Sequence, residues 1–357
     1  MAEKSVTKKK IGSLLSISHD KDVDGLNSAA IVWRYAKSKD LDFNMDLTDY
    51  GSFERVFSSI ATRRNTLIIV TDLGMDDSAL DAVVAGLSRA ISQGCRVVWL
   101  DHHQWSDRAI RSILSLENKP VLKVNPEYCA AEITHKVLMP RDEICAELAT
   151  VAHDTDFNLR QIDGAGALTD AVSVIRFSTI AHKEDLTAAL RPIVEQLAEK
   201  GLAGVWNDQA KKFHDSLLDK RVHHYRKEKL KKMRKALIGH CDQEIHGRLV
   251  RILEMPSGVT TTDMGTFIAD SENLIVDANQ LKVADLAITI SSGGMLGLRR
   301  GYETTLCNIA AKLFNGGGHP FAAGGEYGVY TDFQAVCDDI FATLSKSKDW
   351  VIEANSI

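Results

Sequence analysis

Two almost unbroken apolar runs, "TLIIV" at 66–70 and "RVVWL" at 96–100, most constrain what this chain can fold into. A strand with one wet face alternates polar and apolar residues. A strand apolar at consecutive positions needs cover on both faces, as in a parallel sheet flanked by helices. The surrounding segments fit that demand: "SLLSIS" reads as a strand, "GLNSAAIVWRYAKSKD" as a helix, "NTLIIVTD" as a strand, "DDSALDAVVAGLSRAISQG" as a helix and "CRVVWLDHH" as a strand. Gly94 suits a C-terminal helix stop, and Asp76 or Asp77 can cap the start of that helix. "PVLKVN" predicts another short strand, and "DEICAELATVAHDTDF" a helix that delivers a polar cluster.

At 357 residues the chain exceeds what a single core usually supports, so two domains are expected. From about Ala181 to Lys235 the pattern is mostly helical and increasingly charged, ending in "KRVHHYRKEKLKKMRK". Strand-like runs follow in "RLVRILE", "ENLIVDA" and "ADLAITISS", and then comes the glycine-rich "FNGGGHPFAAGG". The expected class is therefore α/β. A parallel-sheet domain over 1–200 is joined by a helical linker, 201–239, to a smaller mixed-sheet α/β domain over 240–357.

Composition excludes several classes. With 45% hydrophobic and 25% charged residues and no run near the roughly 20 apolar residues of a membrane helix, the chain reads as soluble, with no membrane partner. The start "MAEKSVTKKK" lacks the pattern of a signal peptide and reads as a frayed tail. Six cysteines scattered singly suit free thiols in a reducing cytoplasm. A net charge of -5 offers no global attraction to nucleic acid, so a polyanion needs a local patch or bound metal. The basic run from Arg221 to Lys235 reads first as a solvated helix face.

In open parallel sheets ligands gather outside the carboxyl ends of strands, and here those ends are acidic. The first strand ends in "SHDKDVDG", the second in "VTDLG", the third in "LDHH", and the later helix in "AHDTDF". If the strands are neighbours, Asp22, Asp24, Asp72, His102 and Asp154 crowd one crevice, which calls for compensating positive charge from a pair of divalent ions. Carboxylates alone suit magnesium or calcium. Added imidazole shifts preference toward manganese, iron, cobalt or zinc, with manganese the first choice. Asp72, alone on its strand, is the expected bridging carboxylate; a shared water would become hydroxide and attack phosphorus in line.

In that order, "SHDKDVDG", "VTD", "DHH" and "HDTDF" resemble the motifs of the DHH phosphoesterase family, and "NGGGHPFAAGG" resembles the signature of its DHH-associated C-terminal domain. The resemblance implies that His19, Asp22 and Asp72 bind one Mn2+, and Asp24, Asp72, His102 and Asp154 a second, with Mg2+ or Co2+ as alternatives. Asp20 stands beside His19 as a rival ligand, and Asp156 competes with Asp154, the order D-T-D favouring the first. Asp101 is implied to orient an imidazole, and His103 to face the substrate phosphate or help the leaving oxygen depart. In the second domain Gly316, Gly317 and Gly318 let backbone N–H groups approach an anion or base, His319 adds a donor and a stacking ring, and Arg299 can hold a phosphate.

The expected function is a manganese-dependent phosphodiesterase or exonuclease of the nanoRNase kind, acting on short single-stranded oligonucleotides or dinucleotides. Its competitors are a RecJ-like single-strand exonuclease with replication or repair proteins as partners, a cyclic-dinucleotide phosphodiesterase, and a non-catalytic nucleic-acid or replisome binder. A homodimer is compatible with each. Family II pyrophosphatases share the first motif set but not the glycine-rich one, which steers toward nucleotide phosphodiesters.

Overall fold

The computed structural model describes residues 11–352 apart from Asp76, Val329 and Thr331. The basic N-terminal tail and the Asp76 cap therefore lie outside the described residues. The chain forms two compact units, the first ending at His223 and the second beginning at His224.

In the first unit the elements run β1 (Ser13–His19), α1 (Val23–Ser38), β2 (Asp42–Thr48), α2 (Phe53–Ile60), β3 (Thr66–Thr71), α3 (Leu80–Ser92), β4 (Arg96–Asp101), α4 (Asp107–Leu114) and β5 (Val121–Val124). Four helices follow, α5 (Ala130–Leu138), α6 (Glu143–Asp156), α7 (Asp163–His182) and α8 (Leu186–Lys200), then a two-residue hairpin pair, β6 (Trp206–Asn207) and β7 (Lys212–Phe213). The long helix α9 (Ser216–Ile238) contains the division between units.

The main sheet has the order β2-β1-β3-β4-β5 with every pairing parallel. Its apolar runs are explained by cover on both sides. Leu15, Ile17, Ile68, Val70, Val97 and Trp99 bury against Phe53, Phe57, Val83 and Leu87 of α2 and α3, while Leu14 and Ile69 face Val32 and Ala36 of α1. The order places a topological switch between β1 and β3. Crossovers leave on opposite sides there, opening a crevice at the strand carboxyl ends.

The sequence reading does not include β2 or α2, nor the helices α4, α5 and α7. β2 is an edge strand and stays half exposed along "DFNMDLT", so it lacks the continuous apolar signature of its neighbours. Gly94 does follow α3 with φ +88. Asp77 is no cap, however: Ala79 occupies the cap position without a side-chain bond, and the Asp77 carboxylate accepts from Ser106 Oγ at 2.6 Å. The six cysteines form no disulfide, and among the described residues no helix is long and apolar enough to cross a membrane.

The second unit contains β8 (Cys241–Ile245), β9 (Arg248–Glu254), α10 (Thr261–Ala269), the short pair β10 (Ile275–Val276) and β11 (Asn279–Gln280), β12 (Leu286–Ile290), β13 (Met295–Arg300), α11 (Cys307–Lys312), β14 (Gly317–Gly318), β15 (Ala322–Glu326) and α12 (Phe333–Ser345). Its sheet, β14-β15-β13-β12-β9-β8, is mixed, with β9 and β12 parallel and the other pairs antiparallel. "ENLIVDA" contributes only the two residues of β10, and the glycine-rich segment becomes a hairpin.

Two features hold the mouth of the first sheet. A Cβ at Gly25 would lie 2.3 Å from the His19 carbonyl oxygen, so the first turn of α1 sits directly on the end of β1. Arg34 of α1 donates to Asp142 at 3.0 and 2.5 Å and to the Ala198 carbonyl at 2.6 Å, tying α1 to α6 and α8. Gly25→Ala is expected to destabilise by about 1–3 kcal/mol through overpacking; an unchanged midpoint in denaturant unfolding contradicts that contact. Burial opposes the Asp142 charge, but Arg34 and the Cys145 amide outweigh it and hold the carboxyl below its usual range. A depressed folded-state value gives stability above the carboxylate range that fades as pH falls through it. Asp142→Asn should therefore cost about 1–3 kcal/mol near neutrality, and the gap from wild type should close in acid unfolding curves; a gap independent of pH contradicts the assignment.

Candidate metal centre

The ends of β1, β3 and β4 and the last turn of α6 supply the side chains of the site. Asp22 leaves β1 with φ -144 and caps α1, its Oδ1 accepting from the Gly25 amide at 3.1 Å. Asp24 lies in the first turn of the same helix, where N-terminal peptide dipoles favour negative charge. Its two oxygens also accept the amides of Ala130 and Ala131 at the start of α5, each at 2.7 Å, which fixes the plane of the carboxylate. Asp72 follows β3 with φ +56, a left-handed conformation that costs a non-glycine residue on the order of 1 kcal/mol. Its amide still bonds the Leu100 carbonyl at 3.1 Å, so the turn is held while the carboxylate swings into the crevice.

The side chains converge around Asp72, which is 1% exposed. Its Oδ2 lies 3.5 Å from His19 Nδ1, and its Oδ1 lies 3.3 Å from His102 Nε2. Thus the two oxygens of one carboxylate face different partners. On one side His19 Nδ1 meets Asp22 Oδ2 at 3.2 Å. On the other, His102 Nε2 is 3.8 Å from Asp24 Oδ2, and His102 Nδ1 is 3.6 Å from Asp156 Oδ2. One donor atom from each of His19, Asp22 and Asp72 fits within 4.8 Å of the others, and the same holds for Asp24, His102 and Asp156 and for Asp72, His102 and His103.

Electrostatics show how much positive charge this site requires. Burial opposes the His19 imidazolium, yet Asp22 and Asp72 raise its pKa to about 11. His102 rises against burial to about 10 under Asp72, Asp156 and Asp24. Burial pushes Asp156 up to about 6, helped by Asp72 and Asp22 against His102, and burial with Asp72 and Asp156 holds Asp24 well above the usual carboxylate range. Asp22 goes the other way: burial is outweighed by its bond to His19. Asp72 Oδ2, though buried, accepts no hydrogen bond among the described residues. A buried carboxylate oxygen left over among imidazoles and further carboxylates fits a divalent transition ion.

One expected ligand takes another position. Asp154 is buried, but its oxygens accept the amides of Gln161 at 2.8 Å and Ile162 at 3.4 Å, so it ties the loop after α6 to the helix; Asp156 stands in the cluster instead. Two residues apart on a helix is about 200° of rotation, which sends the pair to opposite sides. Asp20 likewise turns away from the cluster, toward Arg176 at 4.0 Å and Asp49. Asp101 is fully buried and orients an imidazole, that of His103: its Oδ1 is 2.8 Å from His103 Nδ1, and its Oδ2 accepts from Trp105 Nε1 at 2.7 Å. The indole donor is a residue that the sequence pattern alone does not single out, although Trp105 sits in the same "DHHQW" stretch.

In the C-terminal unit Arg299 packs along α10, its Cγ 2.6 Å from where a Gly265 Cβ would be, with Nη2 3.5 Å from Thr262 Oγ1. The three glycines differ in their reasons. A Cβ at Gly316 would strike the Gly324 carbonyl at 2.0 Å, Gly318 has φ +136, and Gly317 faces open space. His319 closes the hairpin turn with its amide on the Ala322 carbonyl at 2.7 Å, and its ring stacks on exposed Phe321 at 5.2 Å.

The model of the DHH family, N-terminal domain, matches residues 15–154. No curated protein matches the chain. Among solved structures, it is similar to RecJ in complex with Mn2+ from Thermus thermophilus, at 20% identity and TM-score 0.54, over 96% of this chain and 54% of that one. It is also similar to an exonuclease RecJ bound to manganese, at 17% identity and TM-score 0.52, over 95% and 91%. A third likeness is to an exopolyphosphatase-related protein from Bacteroides fragilis, at 16% identity and TM-score 0.52, over 95% and 93%. At such identities the likeness is one of fold. The acidic ends of β1, β3 and β4 and the Asp101–His102–His103 turn all lie within residues 15–154, the stretch that the model of the DHH family N-terminal domain matches.

Proposed function

We propose that the chain is a metal-dependent phosphodiesterase that hydrolyses short oligonucleotides or dinucleotides, with manganese as its ion. The observation that carries this reading is the divided Asp72 carboxylate, whose oxygens face His19 and His102 separately. His19, Asp22 and Asp72 would hold one ion, and Asp24, Asp72, His102 and Asp156 the other. Divalent ions held there supply Lewis-acid charge to the phosphoryl oxygens and acidify water. The imidazole and carboxylate donor set favours manganese over magnesium, and the similar RecJ structures bound to manganese support the same choice.

The chain's own residues do the rest. Burial opposes the charged His103 ring, but Asp101 raises its pKa and holds its Nδ1, so the ring keeps one orientation as a donor toward a phosphate oxygen or departing hydroxyl. Trp105 fixes the second Asp101 oxygen, leaving the first for His103. The amides of Ala130 and Ala131 keep Asp24 from rotating. In the C-terminal unit, Arg299, the backbone of β14 at Gly317 and the stacked His319–Phe321 rings supply a phosphate donor, open backbone and a flat surface for a base.

Asp72→Ala is expected to lower Mn2+-dependent hydrolysis of a dinucleotide by at least about 100-fold, the scale of lost charge stabilisation. Dinucleotides, a long single strand, cyclic dinucleotides and pyrophosphate, assayed after chelation and manganese addition, test the substrate class; turnover of pyrophosphate alone contradicts it. The second check compares Asp156→Asn with Asp154→Asn. The first should weaken Mn2+ binding by about 10-fold or more with little change in melting, the second should lower melting and leave metal affinity near wild type. The reverse pattern would restore Asp154 as the ligand.

A further inference from the structure

The basic run of α9 is presented more deliberately than a solvated helix face requires. Within the C-terminal unit, Met233 and Leu237 are buried in a cluster with Leu253, Met264, Phe267 and Leu274, which fixes the rotation of the helix. Lys229 is engaged by Asp263 at 2.8 Å, and Lys232 donates to the Ser257 carbonyl at 2.8 Å. At 3.6 residues per turn, His224, Lys227, Lys231, Arg234 and Lys235 then fall within roughly 100° of arc, turned away from that cluster. All five are exposed, and the four Lys and Arg side chains among them make no ion pair among the described residues.

The charge pattern points to a polyanion. Lys231 has Lys227 four residues before it, Arg234 three after and Lys235 four after, and like charges at those spacings destabilise a helix. A face meant only for water gains from mixed signs; this one gathers four cations, with Glu228 alone at its edge, in a chain of net charge -5. From Lys227 to Lys235 the cations extend about 12 Å along the axis at 1.5 Å per residue, and guanidinium and ammonium groups are natural donors to phosphate oxygens. An anionic membrane is the poorer match. A helix lying on lipid needs an apolar face to bury in it, and the apolar face of α9 is occupied within its own unit.

We propose that Lys227, Lys231, Arg234 and Lys235 form a binding surface for the phosphodiester backbone of single-stranded nucleic acid. The choice of nucleic acid rests on the nucleotide phosphodiesterase reading above, but the surface uses no residue of the metal cluster. It adds an electrostatic hold on strands longer than a dinucleotide.

The test uses the full chain in EDTA, so that binding is read without hydrolysis, by fluorescence anisotropy with a labelled single strand of about 20 nucleotides between roughly 50 and 200 mM salt. K227Q/K231Q/R234Q/K235Q is expected to bind at least about 10-fold more weakly at low salt and to lose about 0.7 of log–log salt slope per phosphate contact removed. The paired variants K227Q/K231Q and R234Q/K235Q should each lose part of that slope, which keeps the test decisive if the fourfold variant folds poorly. Mn2+-dependent dinucleotide hydrolysis should stay within about twofold of wild type, since the substrate is too short to span the face. Unchanged affinity and slope in the paired variants overturns the proposal. So does wild-type binding to phosphatidylserine vesicles with none to the oligonucleotide. Strand binding lost in the variants, in a protein that hydrolyses no nucleotide substrate, would uphold the surface while ending the catalytic reading.

Discussion

One buried carboxylate with its two oxygens facing different imidazoles governs the organisation of the N-terminal unit. Asp72 can take that place because β3 lies between β1 and β4, so strand ends carrying His19 and His102 flank it on both sides. Its left-handed backbone is tolerable because the amide keeps its bond to Leu100 and the surrounding layers are packed. Strain at a strand end, held by the fold around it, is a common way to aim a functional group.

The same constraint explains why so many neighbours are tied to backbone amides. Asp22 accepts from the Gly25 amide, Asp24 from those of Ala130 and Ala131, and Asp101 from the His103 amide, with the Trp105 indole as a side-chain donor beside it. Each bond limits rotation of a carboxylate that would otherwise turn from its like-charged neighbours. The raised imidazoles of His19 and His102 report the opposite side of that balance: the cluster attracts positive charge strongly enough to hold protons far above the usual histidine range. A bound divalent cation would compete for those same nitrogens and oxygens, which makes metal affinity fall as protons become plentiful.

Much of this was legible in the sequence, for physical reasons that can be named. Apolar runs without alternation required a doubly covered sheet, and Asp or His at the ends of "SLLSISH", "TLIIVTD" and "RVVWLDHH" marked the crevice. What the sequence leaves open depends on facts that periodicity does not encode. Asp154 and Asp156 are chemically equal in "HDTDF", and only the phase of α6 decides which one the loop amides of Gln161 and Ile162 consume. β2 is an edge strand, so its signal is diluted by exposed polar positions. The glycine-rich motif looked uniform, but Gly316 is needed for close approach, Gly318 for its backbone angle, and Gly317 for neither. The exposed side of the basic helix is likewise not legible from its charges, because burial of Met233 and Leu237 determines which cations remain exposed.

Calorimetric titration of the metal-stripped chain with manganese tests most directly whether two ion sites share Asp72. Two ions per chain are expected for the wild type and a loss of affinity at both sites in Asp72→Asn, since one residue would serve each. A single ion in the wild type, or an Asp72→Asn protein that loses one site and keeps the other at full affinity, would contradict that sharing.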